Sequence, residues 1–116
     1  MGDLKHLDRQ VDIWVLFAAD AQSHTLLSYC ESVLSDEEVD RAKRFVFPEH
    51  RRMFFLAHGF TRCVLSRYMG FPPRAWEFSV SPHGKPRIAN AGASGMLAFN
   101  VSHTSRAVAV AVARPM

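Results

Sequence analysis

The stretch from Glu49 to Met69 constrains this chain more than any other part of it. Phe54, Ala57, Thr61, Val64, Leu65 and Tyr68 recur at steps of three and four residues, the period of a helix with one buried stripe. Pro48 suits the first turn of that helix, Gly70 suits the position just past its end, and Pro72-Pro73 forbids continuation. Arg51, Arg52, Arg62 and Arg67 lie largely off the stripe. A long helix of this kind must lay its stripe on other apolar elements.

Those elements read mostly as strands. Val11–Ala19 is rich in β-branched and aromatic residues and is bounded by aspartates. Its near-continuous hydrophobicity predicts cover on both faces. Asp20–Leu34 has mixed helical character. Ser35 and Glu38 fit a capping box, with Asp36, Glu37 and Glu38 at the dipole's positive end and Arg41–Arg44 late in the helix. Phe45–Phe47 breaks that helix ahead of Pro48. Trp76–Ser81 alternates, Pro82-His83-Gly84 turns the chain, and Lys85–Ala89 returns as a short strand. Ala91–Gly95 is a small-residue loop. Leu97–Val101 and Ala107–Ala113 form two strands around Ser102–Arg106. The order β-α-α-α-β-β-β-β predicts an α+β fold, helices packed on a small, largely antiparallel sheet, as one unit over residues 1–116.

With 116 residues, 48% hydrophobic and 22% charged, the chain has a globular composition. Its longest apolar runs, Ile13–Ala19 and Ala107–Ala113, are too short to cross a bilayer. No basic segment precedes an apolar core at the N-terminus, as a secretory signal requires. Cys30 and Cys63 lack metal-site spacing and read as buried thiols of a reduced, cytoplasmic protein. Charge is uneven. Between Arg41 and Arg74 stand eight bases and one acid, Glu49, which leaves six bases and ten acids elsewhere, so +7 faces −4. Such a patch fits nucleic acid, a phosphorylated small molecule or an acidic protein, unless it is only a solvated helix face.

Three places carry chemistry. Several arginines on adjacent helical turns could grip phosphates. Gly84-Lys85-Pro86 combines close backbone approach, a charge and a stiff loop. Phe99-Asn100-Val101-Ser102-His103-Thr104 packs hydrogen-bonding groups at a strand end, with His103 able to change charge near neutrality. Nucleophilic catalysis has little support. Cys30 and Cys63 sit in apolar helical stretches, and Ser102 and His103, as strand neighbours, point to opposite faces. Glu77 is the only acid of the second half, so no set of metal-binding carboxylates stands out there.

Taken in order, LSDEEVDRAKRFVF (34–47), HRRMFFLAHGFTRCVLSRYMGFPP (50–73), WEFSVSPHGKPRI (76–88) and LAFNVSHTSRAVAVAVA (97–113) resemble the Sfp-type 4′-phosphopantetheinyl transferases, over most of the chain from Leu34 onward. The resemblance implies one of two similar α+β halves that pack as a pseudo-dimer around coenzyme A. It implies phosphate contacts from Arg52, with Arg51 beside it and Arg41 and Arg44 near enough to substitute. Gly84, Lys85 and Pro86 would line the adenine and phosphate region. Ser102 and His103 would reach the phosphates, His103 the 3′-phosphate.

The family's magnesium-binding acids and presumed general base belong to motifs that follow the strand matching Ala107–Ala113, and this sequence stops at Arg114-Pro115-Met116. The resemblance therefore implies the N-terminal, coenzyme A-binding half of an enzyme that moves phosphopantetheine onto a serine of an acyl or peptidyl carrier protein. Mg2+ ligands are expected in a C-terminal half or second subunit. The chain alone is expected to bind coenzyme A weakly, if at all, to transfer nothing, and to expose a face that self-associates or needs a partner. The alternative is a non-catalytic module binding nucleotides, other anions or acidic proteins. A nucleic-acid partner is not expected, since no RNP-like, zinc-finger or basic-zipper pattern is present, and neither is a membrane.

Overall fold

The computed structural model describes residues 4–19 and 24–115. A 3-10 turn (Lys5–Asp8) leads into β1 (Asp12–Phe17). Three helices follow: α1 (His24–Ser32), α2 (Asp36–Lys43) and α3 (Pro48–Leu65). A second 3-10 turn (Pro73–Ala75) precedes β2 (Phe78–Val80), β3 (Pro86–Ile88), β4 (Ala98–His103) and β5 (Ala107–Ala113). The α+β order is as expected, but the strands form two sheets. In one, β5 lies between β1 and β4; the other is the β2–β3 hairpin, and all pairings are antiparallel. Of the Asp20–Leu34 helical segment, residues 20–23 lie outside the described residues.

Helix α3 lays its stripe on the three-stranded sheet. Phe54, Ala57, Thr61, Val64, Leu65 and Tyr68 are all buried, and Leu56, Ala57, Val64 and Leu65 share one core with Val108, Val110 and Val112 of β5. Full burial of such a side chain stabilises by about 1.5–3 kcal/mol. Helix α1 crosses α3 at Gly59, where a Cβ would stand 2.6 Å from Cys30 Cβ and 2.8 Å from its Cα. Only glycine lets the two helices approach so closely.

Three expectations need correction. The outer face of β1 is not covered: Ile13, Val15 and Phe17 are 67%, 48% and 58% exposed. Helix α3 packs on the other face, where Trp14 and Leu16 meet the core, and α1 and α2 pack on α3. Helix α3 stops at Leu65, capped by Ser66, short of Met69. Arg67 and Tyr68 donate to the carbonyls of Val64 and Leu65 at 2.9 and 3.0 Å, tightening the turn there. Gly70 is therefore no left-handed terminator; the described glycines with positive φ are Gly84, Gly92 and Gly95. The tight turn serves Tyr68, whose hydroxyl donates to Asp12 (2.7 Å) and accepts from Trp14 Nε1 (2.6 Å), tying the helix end to β1. Arg62 is the third correction, because it is 2% exposed and lies inside the fold.

Candidate functional site

Ser35 opens α2 with the expected reciprocal cap: its side chain accepts from the Glu38 N–H, and Glu38 Oε1 accepts from the Ser35 N–H at 2.9 Å. This cap fixes Glu38 at the α2–α3 interface. Arg62 reaches the same oxygen with Nε and Nη2, at 2.8 and 2.6 Å. Its Nη1 donates to the carbonyls of Pro73 (3.0 Å), Arg74 (3.3 Å) and Trp76 (2.8 Å). His58 Nδ1 lies 2.9 Å from Glu38 Oε2, with its ring stacked on Phe54, centroids 3.9 Å apart. Burial alone would raise the Glu38 carboxyl. The His58 ring, the Ser35 N–H and Arg62 outweigh it and hold the pKa at about 2.

This ion pair forms part of the wall of a cavity of about 1400 Å³. Arg41, Arg52, His58 and Arg62 line it from the helical side, Phe78, Val80 and Pro86 from the hairpin, Phe99, Val101 and His103 from β4, and Phe17 from the end of β1. Arg41 holds its guanidinium 5.4 Å from the centre of the Phe54 ring. The lining combines cations with apolar and aromatic side chains, which suits a ligand with an anionic end and a long uncharged arm.

The candidate residues named from sequence divide here. Arg52, Pro86 and His103 line the cavity, and Arg51, Gly84, Lys85 and Ser102 do not. Pairing explains the parting of Ser102 from His103. His103 stands opposite Val108 on the core-facing side of β4, whereas Ser102 pairs with Ala109 on the outer face. Gly84 and Lys85 form the exposed hairpin tip. Gly84 has φ +81° and donates to the Ser81 carbonyl at 2.8 Å, while Ser81 Oγ accepts from the Lys85 N–H at 3.0 Å. Arg51 turns instead to the Phe45 carbonyl, 3.2 Å away. Sequence reading missed the Glu38–His58–Arg62 network. The capping box is a signal for Glu38, but Arg62 is 24 residues on and lies largely off the buried stripe by its helical period.

Cys30 belongs to the core, whereas Cys63, expected to be buried, is only partly so. Burial, with Cys63 nearby, pushes the Cys30 thiol up to about 11, leaving it protonated near neutrality. Among the described residues, no three His, Cys, Asp or Glu side chains are grouped to hold a metal ion, and the cavity's buried carboxylate, Glu38, is already engaged.

Residues 20–115 match the family described as 4′-phosphopantetheinyl transferase, N-terminal. The chain is 34% identical over 110 residues to the 4′-phosphopantetheinyl transferase HetI of Nostoc sp. (strain PCC 7120), an alignment spanning 95% of this chain and 46% of HetI. It thus spans about half the length of that relative. In fold it resembles a holo-(acyl-carrier-protein) synthase from Bacillus anthracis str. Ames, crystallised in complex with CoA (3′,5′-ADP). The TM-score is 0.66 at 17% identity, over 88% of this chain and 91% of that one. With residues 20–115 inside the family match and 34% identity to HetI over 95% of its own length, this chain belongs to the 4′-phosphopantetheinyl transferases, as an N-terminal region of that family.

Proposed function

We propose that the chain is the coenzyme A-binding half of an enzyme that transfers phosphopantetheine from coenzyme A to a carrier-protein serine. What supports this most is that Arg52, Pro86 and His103, far apart in sequence, line one cavity with Arg41. In this reading Arg41 and Arg52 take the phosphates through charge-assisted hydrogen bonds, and His103, from the strand end, takes the 3′-phosphate. Pro86 and Val80 flank the adenine. Arg51, Gly84 and Lys85 act at the rim, Lys85 from the exposed tip of the hairpin, whereas Ser102 faces away from the cavity and takes no part. The Glu38–Arg62 pair keeps the helical wall in place and touches no ligand.

Attack by a serine on the pyrophosphate needs cations for the developing charge and a base for the hydroxyl proton. This chain supplies cations. The magnesium ligands and the base fall to a C-terminal half or second subunit, and the exposed β1 face is a surface on which such a partner could pack. The free thiols accord with a cytoplasmic setting.

The test is to incubate an apo acyl carrier protein with coenzyme A, magnesium and the native gene product, and to weigh the carrier. The carrier should gain one phosphopantetheine with the native product and none with the 116-residue chain alone. A carrier left unmodified by the native product would overturn the reading.

A further inference from the structure

Between α2 and α3 the chain turns through Phe45, Val46 and Phe47, which are 39%, 82% and 57% exposed. Adjoining exposed apolar residues on a small protein mark a contact surface. The turn is held in place. Arg51 donates to the Phe45 carbonyl, and the His50 ring stands edge-on to Phe45 and Phe47, with centroids 6.3 and 5.4 Å away. Phe47 is the extended residue that opens α3. A surface already fixed loses less freedom when it binds.

Its surroundings are cationic. From Arg41 to Arg52 run five bases, Arg41, Lys43, Arg44, Arg51 and Arg52, against Glu49. They fall into two groups. Arg41 and Arg52 line the cavity, while Lys43, Arg44 and Arg51 stay outside it, as do Val46 and Phe47. Phe45 lines the cavity and joins the two regions.

We propose that Val46 and Phe47, with Lys43, Arg44 and Arg51, dock the carrier protein at the cavity rim through an acidic face that carries an apolar stripe. This rests on the transferase reading. Coenzyme A gains nothing from two apolar side chains outside its cavity. An acidic protein face uses both elements, since the bases steer its approach and the apolar pair sets its lifetime. Docking there presents the acceptor serine next to the cavity.

The test titrates the chain with an apo acyl carrier protein and, separately, with coenzyme A, for wild type, V46S/F47S and K43Q/R44Q. Circular dichroism checks that each variant is folded. The carrier affinity of both variants should fall by about tenfold or more, with coenzyme A affinity within about twofold of wild type. Unchanged carrier affinity in both variants would overturn the proposal. So would an equal loss of coenzyme A affinity, which would assign the patch to the nucleotide. Tighter binding of duplex DNA or anionic vesicles than of the carrier, or a change in oligomeric state with no change in carrier binding, would also overturn it. A native gene product that binds the carrier but not coenzyme A would sink the transferase reading and leave the patch a docking site for acidic proteins.

Discussion

Glu38 joins three parts of the fold through one carboxylate: its own cap at Ser35, Arg62 of α3, and, through Arg62, the backbone from Pro73 to Trp76. Removing one partner leaves the other charge buried and alone. E38Q should therefore lower stability by about 3 kcal/mol or more at neutral pH, read by chemical denaturation, and an unchanged midpoint would contradict this role. Glu38 is held at about 2 against an ordinary 4.5. Asp12 is also held at about 2 against 3.8, by the Tyr68 hydroxyl first, then Gln10 and His6. Lowered folded-state values stabilise above the ordinary carboxylate range, and that stability is lost as acid protonates them. The chain should be most stable above about pH 4.5 and weaken progressively toward pH 2, with a shallower decline in E38Q. A pH-independent stability across that range would refute the linkage. The cap was legible because its two residues are neighbours. The Arg62 pair was not, since a one-sided helical period says nothing of a cation drawn inward by a partner on another helix.

At the level of elements, local signals did most of the work. Stripe, cap, hairpin and the succession of elements along the chain could all be read because each rests on neighbouring residues, whereas the division of the strands into two sheets could not. The end of α3 was misread because it follows tertiary demand: Tyr68 must reach Asp12 and Trp14, which no local residue announces. The β1 face was misread because an apolar run cannot say whether its second face is covered. The α1–α3 crossing makes its own prediction. Gly59→Ala places a methyl against Cys30 Cβ, Cα and carbonyl oxygen, all within 2.9 Å. Shortening Cys30 cannot relieve its backbone, so α1 must move, at a cost of about 1–3 kcal/mol. Thermal melts of G59A and G59A/C30A should show the same loss, and full rescue by C30A would contradict it.

On the scale of the whole molecule, two groups of adjoining exposed apolar side chains stand out among the described residues. One is the outer face of the three-stranded sheet, where Val11, Ile13, Val15 and Phe17 are all about half exposed or more, and the other is the turn at Phe45–Phe47. The open sheet face should make the chain self-associate as its concentration rises, and I13T/V15T/F17T should suppress this in sedimentation velocity. A wild type that stays monomeric at every concentration would count against a second half packing there. The candidate site was partly legible. Arginines, GKP and SH could be picked out by chemistry and order, but which of them share a cavity depends on strand facing and hairpin placement. Arg52, Pro86 and His103 line it, and Ser102 faces away.

The central claim is that this cavity holds coenzyme A by its phosphates. The most direct measurement is an NMR titration of the chain with coenzyme A and with dephospho-coenzyme A, for wild type and H103A. Shifts should concentrate on cavity residues such as Arg41, Arg52 and His103. Coenzyme A should bind more tightly than the dephospho form, by about tenfold for one charge-assisted contact, and H103A should erase that preference. Equal binding of the two nucleotides, or shifts scattered away from the cavity, would contradict the account.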